Sequence, residues 1–276
     1  MKNYHYYFFD LDGTLLCGKA LIPYAKELVQ ELYHRGNDVY FLTNHPVSSR
    51  EVLATNLNKI GLELNCNQLI TPVLALGEYL DEGRREGISL YIVGSEMIKQ
   101  ELEQMGFHIL KSVTDKSRGK TYVVLGMAPS ITYPELQEGF SLLQQGADLI
   151  LLNRDMLCPS SEGFLIDTGS LARVLDHPDI VKGSEVVGKP SRWMQKVLLK
   201  KIAEEKGRAV IIGDSLPSDI AIGNALGIDT VLVQSGVTSE KDLIGAKEKP
   251  LHTCRSVKDI YDTLRSNAWK GETMEN

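Results

Sequence analysis

The sequence predicts an α/β protein: a doubly wound, Rossmann-like parallel sheet that carries an inserted α/β domain. Three observations lead to this prediction. Short apolar runs alternate with amphipathic helical stretches along the chain. Several of these runs stop abruptly at polar residues. The middle of the chain repeats the alternation as a unit of its own, between two charged stretches that contain glycine.

The first part of the chain alternates strands and helices. The sequence predicts a buried strand at 6–9 and a second strand at 39–44. A helix is expected within 21–36, with its end near Gly36, and another within 48–61. The first helix has one apolar face, formed by Ile22, Ala25, Leu28, Val29 and Leu32.

The last part continues the same pattern, with strands at 209–215 and 229–236 and a helix between them at 219–227. An amphipathic helix carrying Trp193 precedes them. The middle part is predicted to contain its own strands and helices. The strands are at 89–94, 120–127 and 147–153, and the helices are at 97–106 and 132–146.

These patterns predict two domains. Residues 1–82 and 183–276 would form the core, and residues 83–182 would form the inserted α/β domain. The charged stretches at 81–87 and 181–188 are the candidate linkers.

Composition limits the classes of partner. The net charge of −6 argues against nucleic acid and against an anionic membrane surface, both of which attract clustered positive charge. No apolar stretch reaches the length of a membrane span.

The four cysteines show no metal-ligand spacing, so we expect free thiols in a reducing cytoplasm. The expected oligomeric state is a monomer or a homodimer.

Polar residues follow three of the predicted core strands at the point where each strand ends. Asp10 ends the first strand and is followed closely by Asp12. The second strand ends at Thr43 and Asn44, and the third ends at Asp214. Because ligands bind at the carboxyl ends of strands in open α/β sheets, we expect these side chains to share one pocket.

The residue types in this group suit phosphoryl chemistry. Asp219 adds another carboxylate just beyond the third strand, and Lys189 supplies a positive charge. Clustered carboxylates without soft ligands favour Mg²⁺, which commonly shares the phosphate of its substrate. A carboxylate nucleophile beside a second acid suggests covalent phosphoryl transfer through an aspartyl-phosphate.

Four segments, in order along the chain, resemble the signature motifs of the haloacid dehalogenase superfamily: FDLDGTL, FLTN, GKP and GDSLPSDIAIGNALG. An α/β insert between the second and third motifs is similar to the large-cap branch that contains the NagD-like and p-nitrophenylphosphate phosphatases. The resemblance covers nearly the whole chain, and it implies the core fold of this superfamily with an α/β cap.

The resemblance also implies roles for the acids. Asp10 would be the nucleophile and a Mg²⁺ ligand. Asp12 would protonate the leaving alkoxide, then activate water, and would bind the metal through its backbone carbonyl. Asp214 would bind Mg²⁺, with Asp219 helping directly or through water.

The same resemblance assigns residues to the phosphoryl group. Thr43 and Asn44 would bind it, together with the amides of the turn at Gly13. Lys189 would balance its charge. Gly13 and Gly213 are expected to permit tight backbone geometry rather than to contact the substrate directly.

The chain departs from the family pattern at two places. His45 follows the second motif where a small polar residue is common, and a structural or substrate-orienting role is expected for it rather than that of a catalytic base. The predicted cap strand ends in Asn153, Arg154 and Asp155, which we expect to face the substrate and set specificity. Cys17, near the first motif, is expected to be an inert thiol.

The sequence therefore predicts a cytoplasmic, Mg²⁺-dependent phosphatase of small phosphomonoesters. A phosphorylated sugar is the expected substrate, with broad specificity, and nucleoside monophosphates and phosphoglycolate are variants of the same prediction. Two alternatives remain open at this point. One alternative is a phosphotransferase or mutase on the same scaffold. The other is a non-catalytic protein that binds ligands and has kept the fold.

Overall fold

The computed structural model describes residues 4–81, 87–160, 163–181, 183–202 and 208–266. The chain divides into two compact units. The first unit comprises Met1–Thr43, Ala54–Ile70 and Leu198–Asn276, and the second comprises Asn44–Leu53 and Thr71–Val197. The predicted domain boundaries at 82/83 and 182/183 stay a prediction.

The strands of the described residues are numbered in chain order. They are β1 (Tyr6–Phe9), β2 (Leu16–Cys17), β3 (Ala20–Leu21), β4 (Asp38–Leu42), β5 (Leu69–Ile70), β6 (Ile88–Val93), β7 (His108–Leu110), β8 (Lys120–Leu125), β9 (Asp148–Leu151), β10 (Leu157–Ser160), β11 (Gly163–Ile166), β12 (Ser184–Val186), β13 (Ala209–Gly213), β14 (Asp229–Val233) and β15 (His252–Cys254).

The helices are numbered in the same way. They are α1 (Ala25–His34), α2 (Arg50–Lys59), α3 (Pro72–Asp81), α4 (Glu96–Gln104), α5 (Tyr133–Gln144), α6 (Thr168–Leu175), α7 (Arg192–Leu199), α8 (Ala221–Leu226), α9 (Glu240–Leu243) and α10 (Val257–Ser266). A 3₁₀ turn covers Cys66–Gln68, and a π-helical turn covers Leu216–Ile220.

The first unit contains a six-stranded parallel sheet in the order β15-β14-β13-β1-β4-β5. From β1 the chain builds outward through β4 and β5, then returns to the other side of β1 to add β13, β14 and β15. The strand order therefore reverses between β1 and β13. In doubly wound sheets this reversal opens a crevice at the carboxyl ends of the two strands.

The central strands of this sheet are apolar because both faces are covered. All five residues of β13 are buried, as are Tyr7, Phe8 and Phe9 of β1. Such continuous runs are typical of parallel strands with helices on both sides. The predicted doubly wound core is confirmed.

Helix α1 shows how the local sequence sets the element bounds. Its buried residues, Ala25, Leu28, Val29 and Leu32, belong to the apolar face predicted for it, whereas the predicted Ile22 is buried but lies before the helix begins. The helix ends before Gly36, whose φ of 74° lies in the left-handed region. Glycine adopts that conformation at little cost, so the helix stops where the sequence predicted.

The second unit contains its own five-stranded parallel sheet, in the order β12-β9-β8-β6-β7. Its core is aliphatic and includes Val93, Val123, Leu125, Leu143 and Leu149. Helix α5 begins at a capping box in which Thr132 and Glu135 exchange hydrogen bonds with each other's backbone amides. The predicted α/β character of the inserted region is confirmed.

One predicted linker differs from the structure. Within 181–188, residues Ser184–Val186 form β12, which pairs in parallel with β9. A short, half-exposed edge strand can be polar because only part of it packs on the core, so its sequence does not show the apolar pattern used to recognise strands. Of the other predicted linker at 81–87, residues 82–86 lie outside the described residues.

Two further findings bear on the sequence predictions. None of the four cysteines, all of which lie in the described ranges, forms a disulfide bond, and Cys17 is exposed whereas Cys254 is buried. Across the described ranges, none of the helices has the length and hydropathy that a membrane span would require.

Candidate active site

The carboxyl ends of β1 and β13 each carry an aspartate. The two strands pair in parallel with Phe9 opposite Ile212, and the backbone N–H of Asp10 donates to the Ile212 carbonyl at 2.9 Å. Asp10 and Asp214 thus lie directly after the ends of two adjacent strands, at the point where the strand order reverses. The fold brings together two residues that are more than two hundred positions apart in the chain.

Asp219 joins this pair from the π-helical turn after β13. One carboxylate oxygen from each of Asp10, Asp214 and Asp219 lies within 4.8 Å of the others. The three residues are only 6%, 3% and 1% exposed. The structure therefore brings together three of the acids that the sequence proposed as metal ligands.

Backbone amides hold two of these carboxylates in place. The Val237 N–H donates to Asp214 Oδ2 at 2.6 Å, and the Ser215 N–H donates to Asp219 Oδ2 at 3.1 Å. The two hydrogen bonds therefore set the orientation of the Asp214 and Asp219 carboxylates.

Glycines make room for the carboxylates. A Cβ on Gly13 would lie 2.4 Å from Asp214 Oδ2, and a Cβ on Gly213 would lie 2.2 Å from Asp219 Cγ. The approach of Gly236 is closer still, with a hypothetical Cβ 1.8 Å from Asp214 Oδ2. The tight backbone geometry predicted for Gly13 and Gly213 is confirmed. Sequence reasoning placed Gly236 only at the end of a predicted strand and assigned it no role at the site.

The donor set fits a hard divalent cation. Three ionised carboxylates at this separation, buried away from water, repel one another unless a cation lies among them. Oxygen-only ligands without Cys or His favour Mg²⁺ or Ca²⁺ over transition metals. Asp10, Asp214 and Asp219 are the residues of this cluster that would hold such an ion.

The turn after β1 carries Asp12 and Gly13. Gly13 has a φ of 86°, its carbonyl accepts from Ser235 Oγ at 2.7 Å, and its N–H donates to the Leu16 carbonyl at 2.8 Å. Asp12 is half-buried. The roles predicted for Asp12 in proton transfer and for Gly13 in phosphate binding stay predictions.

Thr43 lies at the carboxyl end of β4, the other neighbour of β1. Phe9 pairs with Phe41, so Thr43 follows on the same edge of the sheet as Asp10. It is buried, and its N–H donates to the Ile70 carbonyl at 3.0 Å. The proposed convergence of Asp10, Thr43 and Asp214 on one sheet edge agrees with this topology.

Asn44 and Lys189 belong to the second unit, where they contact each other. The Asn44 side chain accepts from the Lys189 N–H at 2.7 Å and donates to the Lys189 carbonyl at 3.4 Å. Lys189 is 4% exposed. The phosphate-binding roles of both residues stay predictions.

The three residues proposed for substrate specificity have different environments. Asn153 is completely buried, Asp155 is half-buried and hydrogen-bonded to Asn44, and Arg154 is exposed. Sequence alone offered no signal for this difference, because it depends on a partner 111 residues earlier in the chain. The specificity role of the segment stays a prediction.

His45 and Cys17 were the other residues that the sequence singled out. The His45 ring lies 3.3 Å from the Ser48 hydroxyl, a local contact within the loop that follows Asn44. This contact agrees with the structural role expected for His45. Cys17 lies in the exposed position of β2.

Two family models match the chain. The model described as haloacid dehalogenase-like hydrolase matches residues 7–108, and the one described as HAD-hydrolase-like matches residues 186–260. The first match contains Asp10, Asp12 and Thr43, and the second contains Lys189 and Asp214.

Similar proteins cover nearly the full chain. The chain is 30% identical to 5'-nucleotidase YutF of Bacillus subtilis, over 93% of this chain and 97% of that protein. It is 27% identical to the acid sugar phosphatase of Staphylococcus saprophyticus, over 96% and 99% of the two chains. The solved structure of a double mutant of a thermostable NPPase from Geobacillus stearothermophilus superposes with a TM-score of 0.81, at 26% identity, over 94% and 98%.

Proposed function

Because this chain belongs to the haloacid dehalogenase-like hydrolase family, we propose that it is a Mg²⁺-dependent phosphatase of small phosphomonoesters, acting through an aspartyl-phosphate on Asp10. The observation that carries the proposal is the buried cluster of Asp10, Asp214 and Asp219 at the reversal point of the sheet. A purely structural cluster of buried, closely spaced carboxylates would be costly, whereas a metal-dependent active site requires one.

The metal supplies one component of the chemistry. Asp10, Asp214 and Asp219 would hold Mg²⁺, which when bound would offset negative charge on the phosphoryl group and so favour attack by an anionic nucleophile. The protein supplies everything else.

The first step transfers the phosphoryl group to the enzyme. A carboxylate oxygen of Asp10 attacks phosphorus and forms an acyl-phosphate, while the bond from phosphorus to the ester oxygen breaks. The departing alkoxide takes its proton from the Asp12 carboxyl, so the alcohol leaves neutral. Lys189 offsets the negative charge on the phosphoryl oxygens, and the Thr43 hydroxyl donates a hydrogen bond to them.

The second step regenerates the enzyme. Asp12, now ionised, removes a proton from a water molecule as its oxygen attacks phosphorus. The bond between phosphorus and the Asp10 oxygen breaks, inorganic phosphate leaves, and the Asp10 carboxylate is restored. Asp12 thereby returns to its protonated state for the next cycle.

A phosphorylated sugar is the proposed substrate, with broad specificity. The acid sugar phosphatase of S. saprophyticus supports this choice. The B. subtilis relative, named a 5'-nucleotidase, favours nucleoside monophosphates as the second candidate. We further propose that the protein acts in the cytoplasm and does not require a nucleic acid or membrane partner.

Phosphate release from a substrate panel tests the proposal. The panel contains sugar phosphates, nucleoside monophosphates, phosphoglycolate and p-nitrophenyl phosphate, each with Mg²⁺ and with EDTA. Asp10→Asn is assayed beside wild type, and Asp38→Asn is the matched control, because Asp38 opens β4 with a largely exposed side chain. We expect Mg²⁺-dependent release by wild type and Asp38→Asn, and none by Asp10→Asn.

Trapping the intermediate tests the nucleophile separately. Acid quenching during turnover of a radiolabelled substrate should leave label on the peptide that contains Asp10, and hydroxylamine should remove it. Turnover that persists in Asp10→Asn would contradict the assigned nucleophile. Transfer of the label to an added sugar in preference to water would instead identify a phosphotransferase.

A further inference from the structure

We propose that Asn44 is a positioning residue for Lys189, and that Asn153 and Asp155 hold Asn44 in place. This inference rests on the proposed function, in which Lys189 balances the charge of the phosphoryl group. It gives two residues of the predicted specificity segment a different role, because they act through Asn44 and not on the variable part of a substrate.

The Asn44 side chain forms hydrogen bonds with both the N–H and the carbonyl of Lys189. Its Oδ1 accepts from the Lys189 N–H at 2.7 Å, and its Nδ2 donates to the Lys189 carbonyl at 3.4 Å. The second hydrogen of Nδ2 goes to Asp155 Oδ2 at 2.9 Å. Both side-chain hydrogens of Asn44 are thus engaged within the protein.

The chemistry of the partners determines which way the Asn44 amide points. The Lys189 N–H can only donate, so it requires the amide oxygen. The Asp155 carboxylate and the Lys189 carbonyl can only accept, so both require the amide nitrogen. A flipped amide would lose all three hydrogen bonds, and Asp155 therefore fixes the orientation that suits Lys189.

Asn153 fixes the backbone of the same residue. Its Nδ2 donates to the Asn44 carbonyl at 3.0 Å and to Asp167 Oδ1 at 3.3 Å. Its Oδ1 accepts from the Asp155 N–H at 3.0 Å. Every polar atom of this completely buried side chain is hydrogen-bonded, so Asn153 joins the loop after β9 to the loop after β4.

Gly188 allows the turn that carries Lys189 to approach both the loop after β4 and the loop after β9 closely. A Cβ at this position would lie 2.4 Å from the Leu152 carbonyl oxygen and 2.7 Å from Asn44 Oδ1. Only glycine leaves room for the backbone just before Lys189 to touch both neighbours. The turn that carries Lys189 is thereby packed between Asn44 and the end of the cap strand β9.

The arrangement implies a recognisable kinetic consequence. Displacing Lys189 weakens interactions with the phosphoryl group, which all substrates share. Loss of the support from Asp155 should therefore lower kcat/KM by the same factor on every substrate. Substitution of a residue that contacts the sugar would instead lower kcat/KM more on one substrate than on another.

The test compares Asp155→Ala with Asp155→Asn. Asparagine keeps an oxygen that can accept from Asn44, whereas alanine removes it. Asp115→Ala is the matched control, because Asp115 is an exposed aspartate of the same unit that also accepts hydrogen bonds, from the backbone amides of Lys111 and Ser112. Each protein is measured for kcat and KM on p-nitrophenyl phosphate and glucose 6-phosphate, for inorganic phosphate binding by calorimetry, and for melting temperature.

We expect Asp155→Ala to lose on the order of tenfold in kcat/KM on both substrates, the size associated with one hydrogen bond to a charged group. Its affinity for inorganic phosphate should fall in parallel. Asp155→Asn and Asp115→Ala should remain within about threefold of wild type. A loss confined to one substrate, an equal loss in Asp155→Asn, or a lower melting temperature with unchanged kinetics would overturn the proposal.

A reciprocal exchange covers the case in which Asp155→Ala does not fold. Asn44→Asp places two carboxylates face to face and should be impaired. Adding Asp155→Asn restores a donor opposite an acceptor, so the double variant should recover part of the activity. If wild type itself hydrolyses nothing, the proposed function fails, and phosphate titration alone decides the positioning role: unchanged affinity in Asp155→Ala would overturn it.

Discussion

Gly236 lies so close to Asp214 that a Cβ on the glycine would be 1.8 Å from Asp214 Oδ2. The next residue, Val237, donates its N–H to the same oxygen at 2.6 Å. The loop after β14 therefore both makes room for the carboxylate and hydrogen-bonds to it. Two backbone features in one loop determine where Asp214 points.

Gly236→Ala should impair the metal site. The added methyl group cannot fit unless the loop or Asp214 moves, and either movement misplaces a carboxylate of the cluster. We expect the affinity for Mg²⁺, measured by calorimetry, to fall on the order of tenfold, with a parallel loss of turnover. Gly183→Ala is the control, because a Cβ there meets nothing within 4 Å. Normal Mg²⁺ affinity in Gly236→Ala would argue against Asp214 as a ligand.

Asp219→Asn should raise the Mg²⁺ concentration needed for half-maximal activity. Asparagine keeps an oxygen for the Ser215 N–H but removes one negative charge from the cluster. The expected shift is at least about tenfold, in line with losses at residues that support metal sites. Asp259→Asn makes the matched change at an aspartate that accepts from the Arg255 N–H at the start of α10. Equal Mg²⁺ dependence in the two variants would exclude Asp219 from the metal site.

Arg50→Ala should destabilise the protein in a pH-dependent way. Arg50 Nε lies 2.7 Å from Oε1 of Glu101, whose side chain is 3% exposed. Burial raises the pKa of Glu101 above 4.5, and Arg50 opposes that rise. Arg50→Ala removes the ion-pair partner of this buried carboxylate and keeps only the residue-50 N–H that donates to its Oε2 at 3.2 Å, a change that costs about 3 kcal/mol of unfolding free energy at neutral pH.

The difference in unfolding free energy between wild type and Arg50→Ala should shrink as the pH falls from neutral toward 4.5. Without Arg50 the folded-state pKa of Glu101 rises further above its unfolded value, so the folded protein takes up the proton first and regains stability on acidification. Urea unfolding of wild type and Arg50→Ala across this range measures the effect. The double variant Arg50→Ala with Glu101→Gln should lose the pH dependence, and a deficit that stays constant with pH would contradict an unpaired Glu101.

Arg154→Ala should change the ranking of substrates. Arg154 is exposed between Asn153 and Asp155, so its side chain is free of the buried hydrogen bonds made by its neighbours. We expect kcat/KM to fall more on sugar phosphates than on p-nitrophenyl phosphate. Arg173→Ala, which removes another exposed arginine of the same unit, should leave the ranking as it is. Equal losses on all substrates would count against a specificity role for Arg154.

Thiol reactivity should separate Cys17 from Cys254. Cys17 is exposed, whereas burial, with the nearby Asp259 carboxylate, raises the pKa of Cys254 to about 12. At pH 8 very little of Cys254 is the reactive thiolate. Iodoacetamide followed by peptide mapping should label Cys17 in the folded protein and Cys254 only after unfolding. Turnover that is unchanged after Cys17 is labelled would agree with its expected role as an inert thiol.

Sequence reasoning identified the central elements because these follow local rules. Strands β1 and β13 are uninterrupted apolar runs, and α1 shows a helical apolar face with a glycine at its end. Short edge strands such as β7, β12 and β15 were missed. Their pairing is decided by a neighbouring strand rather than by their own two or three residues.

The sequence by itself determined the α/β class, the family and the chemical types at the strand ends, because four short motifs carry that information in adjacent residues. Family membership was predicted from those motifs and is confirmed. Only the tertiary structure decided which side chains meet. The cluster of Asp10 with Asp214, the approach of Gly236 and the contact of Asp155 with Asn44 all join distant parts of the chain. Such contacts depend on strand order and loop packing, which no local pattern encodes.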